Sequence, residues 1–154
     1  MISDTARRNL ESHIKGERAR DIEALMAPLC TNPRYVIPGF ILEGRAAVRA
    51  MYEKHVASFS EELSDEYLRA LNDPCVTRWG SDHCVIEYSD EYRLHRGMVV
   101  VVHFEDDRVK SENTYFTSAS RYAAAVKDDG FPGVAGVTRT ESRELPDDGG
   151  TGAI

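Results

Sequence analysis

The clearest pattern of hydrophobic and polar positions along the chain is a pair of strand-like segments. Residues 98–104 form a β-branched and aromatic run, a polar turn follows, and residues 109–117 alternate. This pattern predicts two antiparallel strands joined by a turn. Successive side chains of a strand point to opposite faces, so Glu112 shares its face with Thr114 and Phe116. The second strand therefore carries a carboxylate where a strand normally meets a core.

Helical spacing dominates the first third of the chain. A cap candidate at Ser3 or Asp4 precedes an amphipathic pattern that predicts a first helix. Asp21 can cap a second helix that continues until Pro33, and a third helix is expected after Gly44. The three predicted helical stripes consist of Ala6, Leu10, His13 and Ile14; of Ile22, Leu25, Met26 and Leu29; and of Val48, Met51, Tyr52, His55 and Phe59.

Strand-like segments follow the predicted helices. Besides the hairpin, they are Arg34–Pro38, Phe40–Glu43, Glu66–Asn72, Cys75–Trp79 and His83–Arg93. Because helices come first and a meander of strands follows, we expect an α+β domain with N-terminal helices on one face of an antiparallel sheet. Residues 99–102 are apolar on both faces, whereas the helices can cover only one. A second copy of the chain is expected on the outer sheet face, in a homodimer.

The C-terminal segment, residues 128–154, is rich in glycine, proline and acidic residues and has no sustained period. Such a composition is typical of a mobile or draped tail. We therefore predict a folded α+β barrel domain over residues 1–127 and a tail over residues 128–154.

Length, composition and net charge restrict the possible partners of the protein. The length of 154 residues fits one domain, and the net charge of −7 with a pI near 5.2 argues against nucleic acid or an anionic membrane surface as a partner. The chain opens without a secretory pattern, and no run approaches the ~18 apolar residues of a membrane span. We expect a soluble, cytoplasmic protein whose partner is a small molecule or a protein.

Known metal and cofactor motifs are missing from the sequence. The three cysteines lack CxxC spacing, and there is no HExxH, GxGxxG, P-loop or GxSxG. We therefore expect no disulfide framework, no metal site and no cofactor.

Three segments carry a resemblance to a known family. RDIEALMAPL, EGRAAVRAMY and FEDDRVKSENTYF, in this order, resemble the nuclear transport factor 2-like superfamily and its SnoaL-like polyketide cyclases, from Ala6 to Ser118. The resemblance implies a cone-shaped α+β barrel in which a curved sheet and helices enclose an apolar pocket, usually in a homodimer. Members include cofactor-free isomerases, cyclases, dehydratases and epoxide hydrolases, together with binding proteins that catalyse nothing.

This chain lacks the catalytic groups of ketosteroid isomerase, another member of the superfamily. Its pocket tyrosine falls on His13, its general-base aspartate on Ile37 and its oxyanion-binding aspartic acid on Val100. Many SnoaL-like chains end the hairpin with Tyr-Phe-Asp, whereas this chain has Thr117 at the third position. The same alignment implies that the cavity side carries Tyr35, Ile37, Val100, Val102, Phe104, Glu112, Thr114 and Phe116.

Glu112 is the first candidate for chemistry. A carboxylate desolvated by apolar walls has a raised pKa, which suits proton transfer near neutral pH. The alternative is a rim residue that is solvated or paired with an arginine. His13, with Tyr35, is expected to orient or protonate a substrate oxygen, although a core histidine bonded to a carbonyl fits the pattern equally.

The remaining candidates are ranked lower. Met51, Tyr52 and His55 could line the pocket, and His55 fits a helix edge better than a catalytic position. His103 is expected to point away from the cavity, and Glu87 is a reserve acid whose face is not assigned. The sequence thus predicts a cofactor-free acid/base enzyme acting on a hydrophobic, oxygenated, polyketide-like molecule, with a non-catalytic ligand-binding or assembly module as the alternative.

Overall fold

The computed structural model describes residues 1–58, 76–88, 98–115 and 130–140. In these ranges three helices precede most of the sheet: α1 (Asp4–Ala19), α2 (Ile22–Met26) and α3 (Arg45–Ser58). Their starts follow from local chemistry, since the Ser3 hydroxyl accepts the Ala6 N–H at 3.0 Å and the Asp21 carboxylate accepts the Ala24 N–H at 3.0 Å. Both predicted caps are confirmed. None of the described helices is long and apolar enough to cross a membrane.

Gly16 sets how closely α1 and α2 pack. A Cβ at this position would lie 2.7 Å from the Leu25 backbone nitrogen, which is too close for any other residue. Glycine therefore lets the two short helices meet backbone to backbone, and this contact places the His13 ring against the second helix.

The described strands form one curved sheet of seven strands. They are β1 (Leu29–Ile37), β2 (Phe40–Glu43), β3 (Val76–Trp79), β4 (His83–Tyr88), β5 (Met98–Glu105), β6 (Arg108–Tyr115) and β7 (Val137–Arg139). Their order is β3-β4-β5-β6-β1-β2-β7. The predicted α+β class with N-terminal helices is confirmed. The sheet is mixed rather than antiparallel, because β1 and β6 run parallel. Those strands are far apart in sequence, and a long connection allows the parallel arrangement.

The second helix is shorter than its pattern predicts. It ends at Met26, and Leu29 begins β1, which continues through Pro33. The pairing of β1 with β6 is irregular between Leu29 and Arg34. Proline is tolerated there because its missing N–H removes no regular ladder hydrogen bond. The predicted strand Glu66–Asn72 lies outside the described residues.

Part of the predicted C-terminal tail joins the sheet. Strand β7 pairs with β2, and the Phe131 ring meets Phe40 edge to face at 5.1 Å between centroids. The Gly136 carbonyl accepts the Glu43 N–H at 2.7 Å, and the residue has φ +81°, which glycine adopts without strain. Residues 130–140 of the tail are thus draped against the domain. The sequence pattern did not predict the strand that they contain. The domain boundary at residue 127 stays a prediction.

Candidate functional site

One row of side chains crosses the sheet on the face that meets the helices, which we call the inner face. Directly paired residues of neighbouring strands share a face. The row passes from β4 to β2 through Cys84, Val102, Glu112, Tyr35 and Leu42. Four of these five are buried hydrophobic residues, each at most 1% exposed. Glu112 is thus a carboxyl group inside an apolar row, with 19% of its side chain still exposed.

Two helices bring polar side chains over this row. His13 and Glu17 are one turn apart on α1, and Tyr52 and His55 are three residues apart on α3, so each pair lies on one helix face. His13, Tyr52 and His55 are buried, at 3%, 3% and 4% exposure. The interior between the helices and the sheet therefore contains several titratable groups that are shielded from water.

A chain of hydrogen bonds connects these groups. His13 Nδ1 lies 2.8 Å from the Leu25 carbonyl oxygen, and His13 Nε2 lies 2.9 Å from the Tyr52 hydroxyl. The Tyr52 hydroxyl is 3.1 Å from the Tyr35 hydroxyl. Tyr35 is paired directly with Glu112 in the sheet. The chain thus leads from a backbone carbonyl through His13 and two tyrosines towards the carboxyl group.

Glu112 itself has weak polar support. The Thr114 hydroxyl donates to Glu112 Oε1 at 3.3 Å, and His13 Nε2 is 3.8 Å from Glu112 Oε2. Burial raises the pKa of Glu112 to about 8, and the negative charge of Glu17 acts in the same direction. A carboxyl group with this pKa carries its proton at neutral pH.

The pKa of His13 is shifted in the opposite direction. Burial lowers the pKa of His13 to about 4, although the hydrogen bond to Leu25 opposes the shift. The imidazole is therefore neutral at neutral pH. Burial and the nearby Glu112 also raise the pKa values of Tyr35 and Tyr52, so both hydroxyls keep their protons. A protonated acid and a neutral base are held in one buried network, as proton transfer requires.

Glu17 was not among the residues expected at the site. Its Oε1 lies 3.7 Å from His55 Nε2, and 17% of its side chain is exposed. The sequence feature that could have identified Glu17 is its position four residues after His13, which places the two side chains on one helix face. His55 is thus paired with an acid, an arrangement that its helical stripe alone could not indicate.

The structure brings most predicted site residues to the inner face. Ile37, Val100, Val102 and Thr114 are buried there, and Met51 of α3 is buried in the same core, all at 7% exposure or less. Phe104 is half-buried and stacks on Trp79 with centroids 6.4 Å apart. Phe116 lies outside the described residues.

Two other residues belong to the opposite face, which we call the outer face. His103 pairs with Ser111 and His83, one position away from the Val102–Glu112 pair, so it points away from the site as expected. Glu87 shares this outer face, and its Oε1 accepts a hydrogen bond from Arg78 at 3.2 Å. Glu87 is therefore not a reserve acid for the interior.

Comparison with known proteins identifies the fold. No protein-family model and no curated protein matches the chain. Solved structures do match. A nuclear transport factor 2-like protein from Burkholderia xenovorans LB400 superposes with a TM-score of 0.58 at 14% identity, covering 81% of this chain and 98% of that one. A SnoaL-like protein of unknown function from Burkholderia thailandensis E264 gives 0.50 at 22% identity, covering 75% and 98%.

An enzyme is also among the structures that match. The epoxide hydrolase/cyclase-like enzyme SalBIII, with a role in pyran ring formation in the polyether salinomycin, gives a TM-score of 0.54 at 13% identity, covering 75% of this chain and 92% of that one. The chain has the nuclear transport factor 2-like fold, of which the SnoaL-like proteins are one group. The resemblance seen in the sequence is confirmed for the fold. At these identities the likeness does not define a reaction.

Proposed function

We propose that this protein is a cofactor-free acid/base enzyme that acts on a hydrophobic, oxygenated small molecule. The observation that carries the proposal is one buried cluster in which His13 Nε2 lies 3.8 Å from Glu112 Oε2 and is hydrogen-bonded to Tyr52, with the pKa of Glu112 raised to about 8 and that of His13 lowered to about 4. At neutral pH this gives a proton donor and a proton acceptor in the same water-poor interior.

The positions of the hydrogens follow from the partners. A carbonyl oxygen only accepts, so His13 Nδ1 carries the hydrogen that points to Leu25, and a neutral His13 offers its Nε2 lone pair to Tyr52. Tyr52 has one hydrogen, so its oxygen then accepts from Tyr35. If a proton moves from Glu112 to His13, both hydroxyls reverse: Nε2 donates to Tyr52, Tyr52 to Tyr35, and Tyr35 to the carboxylate. The hydroxyls can therefore rearrange for either proton distribution, and the pKa values favour the one with the proton on Glu112.

This network suits reactions in which one group donates a proton to the substrate and then accepts a proton back. Glu112 gives its proton to an epoxide, carbonyl or alcohol oxygen of the substrate. The carboxylate then takes a proton from a carbon or hydroxyl of the same molecule, or from a water that adds to it. Cyclisation, isomerisation, dehydration and epoxide opening all fit this sequence, and none transfers net electrons. No redox cofactor is needed in the proposed reaction.

The walls of the site favour a hydrophobic substrate. Ile37, Val100 and Val102 are buried on the inner face beside the polar chain, and Met51 of α3 is buried in the same core. Apolar walls strengthen electrostatic effects on the reacting group by excluding water. The ring-forming role of SalBIII supports a polyketide-like substrate within this range.

The alternative function is a non-catalytic binding or assembly module of the same fold. It is favoured by Ile37 and Val100, which occupy the positions where ketosteroid isomerase has acidic groups. The same apolar interior would then bind a ligand. The tyrosine hydroxyls and the histidine imidazoles would only orient it.

The test is turnover of polyketide intermediates, steroid enones and terpene epoxides, followed by mass spectrometry. We expect wild type to convert at least one compound and Glu112→Gln to lose about 10²–10⁴ in rate while still binding it. Glu87→Gln is the matched control, because it changes a glutamate on the outer face, and its rate should equal that of wild type. Equal rates for Glu112→Gln and wild type would remove Glu112 from the mechanism. Binding without turnover across the panel would favour the alternative.

The proposed enzyme is a homodimer through the outer face. One row on this face contains Val85, Val101, Asn113, Val36 and Ile41, none of which is fully buried in the single chain. Asn113 Oδ1 is shielded from solvent and has no hydrogen-bond partner within the part of the chain described. A second copy would cover the aliphatic row and could supply a donor to this oxygen.

A further inference from the structure

We propose that the outer face contains a binding site for a divalent transition-metal cation, with Zn²⁺ as the best-matched ion. Its ligands would be His83, His103 and Asp82. The proposal does not depend on the reaction assigned to the interior.

The three ligands converge because of the strand register. His83 on β4 is paired directly with His103 on β5, and their ring centroids are 5.6 Å apart. Asp82 precedes His83 at the β3–β4 turn, and its Oδ1 is 3.0 Å from His83 Nδ1. One ligand atom from each residue lies within 4.8 Å of the other two. Zn²⁺ bonds of about 2.0–2.2 Å in a tetrahedron need ligand atoms roughly 3.4 Å apart, so small side-chain rotations suffice.

The backbone holds the ligands in this arrangement. The Gly80 N–H donates to the His83 carbonyl at 2.8 Å and closes the turn, while the Phe104 N–H donates to the Asp82 carbonyl at 3.1 Å. The second bond joins the turn to β5 beside His103. One ligand on the turn, one at the start of β4 and one on β5 are therefore already fixed relative to each other, which lowers the entropy cost of binding.

Gly80 provides the space for the His83 ring. A Cβ at this position would lie 2.5 Å from His83 Cε1 and 2.8 Å from Nε2. Its φ is not in the positive region, so the backbone conformation does not call for glycine. The contact with the imidazole gives glycine a role here, and any larger residue would displace a ligand.

Charge on the outer face is compatible with a cation. Next to His103 the row continues to Ser111 and then to Arg34, whose guanidinium is 3.4 Å from a Glu43 carboxylate oxygen. Arg78 is hydrogen-bonded to Glu87. Arg34 and Arg78 are thus each paired with a carboxylate, and the net charge of the chain is −7. Two imidazoles and one carboxylate leave a fourth position for water, as in zinc sites with three protein ligands.

The experiment is titration of the full chain with Zn²⁺ in a calorimeter, with His83→Gln and His103→Gln as test variants. We expect one ion per chain for wild type and at least a tenfold loss of affinity in each variant. Gly80→Ala tests the geometry without removing a ligand, and it should also weaken binding because its Cβ displaces the His83 ring. Circular dichroism checks that each variant is folded.

The control is Glu87→Gln, which removes a carboxylate of the same outer face that lies outside the cluster and should leave affinity unchanged. His13 and His55 are buried in the interior and do not compete. Wild type with no bound ion, or with an affinity that both ligand variants retain, would overturn the proposal. A second readout is the thermal midpoint, which Zn²⁺ should raise for wild type and Glu87→Gln only, since an ion that binds the native state stabilises it.

Discussion

The two faces of the sheet carry glutamates with opposite surroundings. Glu112 on the inner face lies among buried residues, and the nearest charge that affects its pKa is the like charge of Glu17. Glu87 on the outer face has 44% of its side chain exposed and is paired with Arg78. The same residue type is therefore held protonated inside the fold on one face and placed in an exposed ion pair on the other. Burial and the sign of neighbouring charges decide this, since an exposed ion pair costs little desolvation.

The largest expected difference between the faces is in how the free energy of unfolding depends on pH. Folding raises the pKa of Glu112 from its ordinary value of 4.5 to about 8, so the folded state binds more protons in this interval. Stability must then fall as pH rises from about 5 to 8, by up to about 1.4 kcal/mol per unit. Glu112→Gln cannot ionise, and its free energy of unfolding should exceed that of wild type by on the order of 3 kcal/mol at pH 8. Urea unfolding at pH 5, 6, 7 and 8 measures the difference.

Glu87→Gln is the control for this pH series. It removes one exposed ion pair, which is worth about 0–1 kcal/mol, and its difference from wild type should stay constant over the same range. His13 contributes the opposite slope, because its lowered pKa adds stability as pH rises from about 4 to 6.5. That slope is common to wild type and both variants, so it cancels in the comparison. If Glu112→Gln and wild type change in parallel with pH, the carboxyl group is not desolvated.

A smaller effect is expected from the tyrosines. The Tyr52 hydroxyl joins His13 to Tyr35, and Tyr52→Phe leaves the buried Nε2 without its partner. Losing such a partner costs about 1–3 kcal/mol. Tyr115 on β6 is 56% exposed, so Tyr115→Phe is the matched control and should change stability by less than about 0.5 kcal/mol. Thermal unfolding of both variants at pH 7 compares them. Equal midpoints would mean that the hydroxyl chain adds nothing to the fold.

The sequence predicted the inner face well because alternation and helical spacing carry the needed information. The pattern of β6 assigned Glu112 and Thr114 to one side, and the stripe of α1 assigned His13 to the core; both assignments hold. The resemblance also gave the fold. These features depend on local periodicity, which one chain displays without its partners.

Features that depend on register were not visible in the sequence. Glu17 acquires its role from His55 on another helix, and Asp82 and His83 meet His103 only through the pairing of β4 with β5. The absence of a compact motif led to the expectation of no metal site, and the proposed ligands, twenty residues apart, form no motif that a sequence scan would find. Strand β7 was missed for a similar reason, since three residues are too few for a period and β2 provides the pairing.

The smallest effect on the folded chain is expected on the outer face, from Val101→Lys. Val101 is partly exposed, so a lysine there can reach water and should change the free energy of unfolding by about 0.5–1 kcal/mol at most. In the proposed homodimer the same lysine meets its two-fold counterpart on an apolar row, where desolvation and like-charge repulsion oppose association. Sedimentation velocity should therefore give a dimer for wild type and a folded monomer for Val101→Lys. Val101→Thr, which keeps the shape and adds no charge, should remain mostly dimeric. A wild-type monomer would overturn the proposed homodimer, and a Val101→Lys dimer of unchanged affinity would place the interface away from this row.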